Sequence, residues 1–187
     1  MNRTPTIIEI CRLLTSNERA LASQRLLQEY PAAVAQTKRS AWPLHRQVKV
    51  CVRDHFTDRY FGEQLVFPGT LRAISILLPD EFPYHRNWKQ SETHPAFWEL
   101  SPTIDHVVPL ARGGKDDEFN VVITSMVRNA SKANWLVGEL NWPERLAPVI
   151  EEWDGLLPWF LSTFESIKVI QEDPAMRAWY RAAKGVA

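Results

Sequence analysis

Between Asp105 and Lys132 the chain gathers Asp105-His106, Gly113-Gly114, Asn120, Asn129 and Lys132. Those residue types supply what attack on a phosphodiester requires. A histidine takes a proton from water near neutral pH, its unperturbed pKa being about 6.5. Asp and Asn offer hard oxygens suited to Mg²⁺, which keeps several waters and completes its shell with substrate phosphate. A cation is also needed to absorb charge on the transition state and on the departing oxygen. Each residue has a plainer reading alone: an Asp-His pair at a strand end is commonly a hydrogen-bonded turn, Asn120 a turn residue, Asn129 a surface helix residue, Lys132 a solvated charge. Their joint spacing is what needs explaining.

The elements that must position them can be read locally. Ile104 to Val108 is a β-branched run holding the Asp-His pair and closed by Pro109. Arg112-Gly113-Gly114-Lys115 turns the chain, and Val121-Val122-Ile123-Thr124 is a second apolar run. Ser125 is placed to cap a helix over Met126 to Trp135, a stretch free of Gly and Pro. The unit therefore reads strand, loop, strand, helix.

In residue type, spacing and element order this segment resembles the HNH (ββα-metal) endonucleases: Asp105-His106, Asn120, Asn129, then Lys132. The HNH domain of the RNA-guided CRISPR nucleases looks the same and likewise has Asn where other members have the final His. The resemblance implies His106 as general base, Asp105 and Asn129 as ligands of Mg²⁺ (or Mn²⁺), Asn120 as the residue that orients the His106 loop, and Lys132 facing the same phosphate. It also implies a DNA substrate cut to a 5′ phosphate and a 3′ hydroxyl. Thr57 to Glu63 resembles the Cys-x-x-Cys knuckle of many HNH domains, with Asp58 and Phe61 where the cysteines would be and Ser125 and Arg128 at the second pair. With all four cysteines replaced the zinc knuckle cannot form, so no structural zinc is expected. An Asp58–Arg128 ion pair beside Phe61 is expected in its place.

The 187 residues suffice for one substantial core, with ordinary hydrophobic content and eight Trp. Formal net charge is zero, but residues 1–60 carry ten Lys/Arg against five Asp/Glu, and 139–173 carry two against eight. A nucleic-acid contact would thus be local, with the acidic segment turned away from phosphate or toward another protein. Cys11 and Cys51 form no metal pattern and read as buried free thiols in a reducing compartment. The absence of a signal-like or membrane-length apolar run points to a cytoplasmic protein with no membrane partner.

Residues 1–43 read as an N-terminal helical segment, with a start at Thr4-Pro5, a Thr15/Glu18 capping box for a second helix, and a stop at Tyr30-Pro31. Residues 44–138 form the nuclease core with an insertion at 63–103. On the helix from Leu44, Arg46, Lys49 and Arg53 share a face and are candidate phosphate contacts, joined by Arg112 and Lys115 in the catalytic loop. His85 and His94 lie in the Pro- and aromatic-rich insertion, which suits either nucleic acid or a packed loop. Residues 139–187 read as a C-terminal helical extension, starting at Asn141-Trp142-Pro143-Glu144, broken near Gly155 and Pro158, and ending in a helix over Pro174 to Lys184 with Gly185 as its C′ residue.

The expected fold is α+β, a ββα-metal core flanked by helices, and the expected function is metal-dependent endonucleolytic cleavage of DNA. RNA as substrate, a structure-specific nuclease, a module that binds nucleic acid or protein without cutting, and a homodimer or protein partner all remain open at this level.

Overall fold

The computed structural model describes residues 3–29 and 42–186. It is a mixed α+β fold whose named sheet is a two-stranded antiparallel ribbon. β1 (Pro102–His106) pairs with β2 (Val121–Ser125) in a register that sets Thr103 against Thr124, Asp105 against Val122 and His106 against Val121. Before the ribbon come α1 (Thr4–Thr15), α2 (Arg19–Glu29), α3 (Leu44–Arg53), α4 (Pro68–Leu77) and α5 (Ala96–Leu100). After it come α6 (Met126–Lys132), α7 (Leu157–Ser166), α8 (Lys168–Glu172) and α9 (Pro174–Lys184).

Every residue of β2 is buried, so both faces of the ribbon are covered. Side chains alternate along a strand, and the two faces are built from different material. On one, Val121 and Ile123 join a core with Val48 and Cys51 of α3, Phe56, Phe67, Phe160, Ile170, Met176 and Ala183. Fully burying an aliphatic side chain such as Ile123 contributes about 1.5–3 kcal/mol. On the other, Thr103, Asp105 and Thr124 meet polar partners from α6 and from the turn after α3.

Several local expectations are met. The Ser125 hydroxyl caps α6 by accepting from the Arg128 amide at 3.3 Å, and the Asp173 carboxylate caps α9 by accepting from Ala175 N at 2.8 Å. Others need correction. α6 stops at Lys132, because Ala133 turns to φ 44°. Thr15 belongs to the end of α1, where its hydroxyl donates to Cys11 O, and α2 opens only at Arg19; the Tyr30-Pro31 stop lies outside the described residues. The insertion holds a full helix, α4, entered through Pro68. Asn141 to Glu144 start no helix, and Pro158 opens α7 rather than breaking one. Gly185 has φ −82° and is not a left-handed cap.

The C-terminal residues are not an appendage. α9 packs on α3, and α7 and α8 pack on α9, so Phe160, Ile170 and Met176 are core residues of the same unit as the ribbon. Cys51 is buried as expected but Cys11 is exposed. Among the described residues no helix is long and apolar enough to cross a membrane.

Candidate active site

One side chain, Asn120, ties the two ends of the loop between the strands together. Asn120 accepts from Val108 N at 3.0 Å through Oδ1, and its amide donates to Val108 O at 2.9 Å and Lys115 O at 2.8 Å. A three-way clasp of this kind pins both ends of the turn to β2. Gly113 takes φ +86°, a left-handed conformation that favours glycine. At Gly114 the chain passes so close that an added Cβ would sit 1.8 Å from Val108 O. The expectation that Asn120 orients the His106 loop agrees with this geometry.

Asp105 lies on the polar face of the ribbon. Its Oδ2 accepts from Tyr60 OH at 2.5 Å and lies 2.9 Å from Lys132 Nζ. Burial, and then the charge of Asp105, pushes the Tyr60 phenol above its ordinary pKa, which keeps it a donor. Lys132 is fully buried, and its ammonium also donates to His106 O at 2.8 Å. The expected exposure of Lys132 to a phosphate is therefore corrected. Helical spacing puts it on the side of Asn129, but that side faces the carboxylate of β1, and a buried ammonium needs such a partner.

Asn129 donates through Nδ2 to Thr103 Oγ1 at 2.8 Å and to Ile104 O at 3.3 Å. A carbonyl only accepts, so these bonds fix which end of the amide is which. The Asn129 Oδ1 is left as its other polar atom, and Asp105 Oδ1 takes no part in the bonds to Tyr60 and Lys132. Oxygens of this kind are the donor type an ion such as Mg²⁺ takes, with water and substrate supplying its other ligands. Among the described residues no group of three or more His, Cys, Asp or Glu is arranged to hold a metal by itself.

His106, one residue on, points to the opposite face by strand alternation and makes a separate set of contacts. Its Nε2 lies 2.9 Å from Asp116 Oδ1, and the Trp42 indole donates to that same oxygen at 2.7 Å. The hydrogen bond with His106, helped by the one from Trp42 and by Arg46, outweighs burial and holds the Asp116 carboxyl below the usual carboxylate range. Asp105 and Lys132 pair on one face, where Asn129 bonds Thr103, while His106 is buried on the other. Lys132 links the two through the His106 carbonyl.

The basic residues assigned to phosphate divide. Arg53 lies against both Asp54 carboxylate oxygens, at 2.8 and 3.0 Å, and donates to the carbonyls of Glu118 and Val121. Arg46 stacks 3.5 Å from the Trp42 ring centroid and lies 3.6 Å from Glu118. Arg112 pairs with Glu139 at 3.2 Å. Acceptors elsewhere in the chain engage all three, although Arg46 and Arg53 keep about a third and two fifths of their side chains in solvent. Lys49 and Lys115 are exposed, as a phosphate contact requires. His94 stacks on Phe82 with centroids 4.3 Å apart, a packing role within the insertion.

Asp58, Phe61, Ser125 and Arg128, the four positions that the resemblance sets against zinc-ligating cysteines, converge. Asp58 Oδ2 accepts from Arg128 Nη1 at 3.1 Å, Thr124 Oγ1 at 2.6 Å and Ser125 N at 3.0 Å, while Oδ1 accepts from the amides of Tyr60 and Phe61. The Arg128 guanidinium lies 4.5 Å from the Phe61 ring centroid. Tyr60, Trp42 and Asp116 went unread in the sequence. Tyr60 and Trp42 give no local signal, and Asp116 follows the Gly-Gly turn as the first of three consecutive acids. Comparison with protein-family models, characterised proteins and solved structures returns no match.

Proposed function

We propose that this protein is a metal-dependent endonuclease of HNH type, hydrolysing DNA phosphodiester bonds with His106 as general base. The observation that carries the reading is the Asn120 clasp on the His106 loop, closing a ββα unit whose polar face holds the Asp105–Lys132 pair and, on Thr103, Asn129. A divalent ion bound by Asp105 and Asn129 would supply charge stabilisation to the phosphorane-like transition state and to the leaving oxygen. His106 takes a proton from the attacking water as its oxygen bonds to phosphorus. The bond from phosphorus to the 3′ oxygen breaks, and that oxygen is protonated from solvent. Asn120 keeps the imidazole in register with the strand end. Tyr60 and Lys132 hold Asp105 by Oδ2, leaving Oδ1 for the ion. Lys49 and Lys115 attract the phosphate backbone.

The test is cleavage of supercoiled plasmid, linear duplex, single-stranded DNA and RNA with Mg²⁺ or Mn²⁺, comparing wild type with His106→Ala. Wild-type nicking that chelator abolishes and His106→Ala removes supports the reading; equal activity of the variant overturns it. One observation favours a second reading, a nucleic-acid-binding module that no longer cuts. The Lys132 ammonium already occupies one oxygen of Asp105, so the carboxylate has a resident cation. Binding by wild type without cleavage of any substrate would select that alternative.

A further inference from the structure

The orientation of the His106 ring depends on a residue that lies outside both strands and outside α6. Asp116 stands in the loop after the Gly-Gly turn and is itself held by Trp42, which precedes α3. Trp42 is 8% exposed and is fixed on several sides. Arg46 lies over its ring, Gln47 donates to its carbonyl at 2.7 Å, and its edge belongs to the core.

Chemistry decides the proton positions. An indole N–H can only donate, so Asp116 Oδ1 is an acceptor at 2.7 Å from Trp42. The same oxygen then requires a donor from His106, which lies 2.9 Å away through Nε2. The neutral imidazole therefore carries its hydrogen on Nε2, and Nδ1 keeps the lone pair. A carboxylate in this place also stabilises the imidazolium that forms when Nδ1 accepts a proton, and it does so without leaving its bonds.

We propose that Asp116 is a positioning residue for His106, latched by Trp42, which selects the Nε2–H tautomer and so presents Nδ1 as the nitrogen that receives the proton of the attacking water. This rests on the reading of His106 as general base, but its structural half does not need cleavage in order to be measured. The latch also makes the base dependent on a residue more than sixty positions earlier in the chain, so the site is complete only when α3 is docked on the ribbon.

The experiment uses the full chain labelled with ¹⁵N-histidine and follows the His106 ring by long-range ¹H–¹⁵N correlation, alongside steady-state nicking kinetics. Wild type should show the Nε2–H tautomer. Asp116→Ala should give a mixture of tautomers and lower kcat roughly tenfold or more with KM little changed. Asp116→Asn keeps an amide oxygen for both Trp42 and His106, so it should restore the tautomer and part of kcat. If Asp116→Ala does not fold, Trp42→Phe removes one N–H from the latch and should broaden the His106 signals or mix its tautomers. A pure Nε2–H tautomer in Asp116→Ala overturns the proposal, as does a mixed tautomer with unchanged kcat. Where the wild type cuts no substrate the nuclease reading fails by itself, and the tautomer measurement alone decides the role of Asp116.

Discussion

Arg128 reaches across the end of the ribbon to Asp58, Nη1 to Oδ2, at 3.1 Å. Asp58 is fully buried and Arg128 keeps a fifth of its side chain in solvent, so the two partners do not contribute equally. Asp58 gathers the amides of Tyr60, Phe61 and Ser125 and the Thr124 hydroxyl as well as the guanidinium. Asp58→Ala is expected to destabilise by about 3–5 kcal/mol, because it leaves three backbone amides and the Thr124 hydroxyl without their acceptor, while Arg128 keeps Glu63. Arg128→Ala is expected to cost about 1.5–3 kcal/mol, since the other donors to Asp58 remain. Urea unfolding of both variants checks the order, and a larger loss for Arg128→Ala would refute it. With this pair in place, metal analysis of the purified protein should find no stoichiometric zinc.

Lys132 gives a sharper contrast between stability and binding. Removing its ammonium leaves Asp105 with its charge buried, so Lys132→Ala should lose about 3–5 kcal/mol in urea unfolding. Lys132→Met combined with Asp105→Asn removes both charges and should recover much of that loss. If Lys132→Ala unfolds at the wild-type midpoint and changes only DNA affinity, the ammonium faces substrate after all.

The charged residues around the site should separate by salt dependence. Replacing Lys49 and Lys115 with Gln should reduce the slope of log binding constant against log salt by about 1.5–2. Arg53→Gln should instead lower stability, because its guanidinium joins Asp54 to the carbonyls of Glu118 and Val121. Binding titrations at several salt concentrations, with parallel melts, read both effects.

Acid should loosen the link between the loop and the chain after α6. Burial alone would raise the Glu139 pKa, but the Leu136 amide and Arg112 more than offset it and hold the carboxyl below its ordinary value. A group depressed on folding contributes stability above its unfolded pKa, about 4.3 for Glu, and that contribution is lost as pH falls through the lower folded value. Glu139→Gln should therefore flatten the acid side of the stability profile below about pH 4.5 and leave its shape at neutral pH unchanged.

The cysteines provide a test of burial. Cys51 is pushed up to about 12 by burial and then by the neighbouring Asp54 charge, whereas Cys11 is exposed. Because the thiolate is the nucleophile, iodoacetamide should label Cys11 alone in the native protein. Cys51 should react only after denaturation.

The ribbon and α6 were legible because their signals are local: a β-branched run, a Gly-Gly turn, a hydroxyl cap. The Asp58–Arg128 pair was legible by register with a known pattern. α4 was not, since Gly69 and the β-branched Ile74 and Ile76 are weak helix formers, and the segment is helical because it buries Leu71 and Ala73 against its neighbours. Spacing put Lys132 beside Asn129 but could not say what lay opposite. Arg53 looked solvated because its acceptors, Glu118 and Val121, are far away in sequence, and the Asp116–Trp42 bond has the same character.

The sharing of one core between the ribbon and the final helices has a consequence in time. Val121 and Ile123 rest on α3, and α3 rests on α9. A chain emerging from the ribosome has both strands outside well before Met176 and Ala183 appear, and at roughly 5–20 residues per second that interval lasts several seconds. Through it the nascent ribbon has one bare apolar side, the side to which His106 belongs. Competence to cut, on the function proposed here, thus arrives only with α9, so no nascent chain that stops short of α9 carries an assembled base.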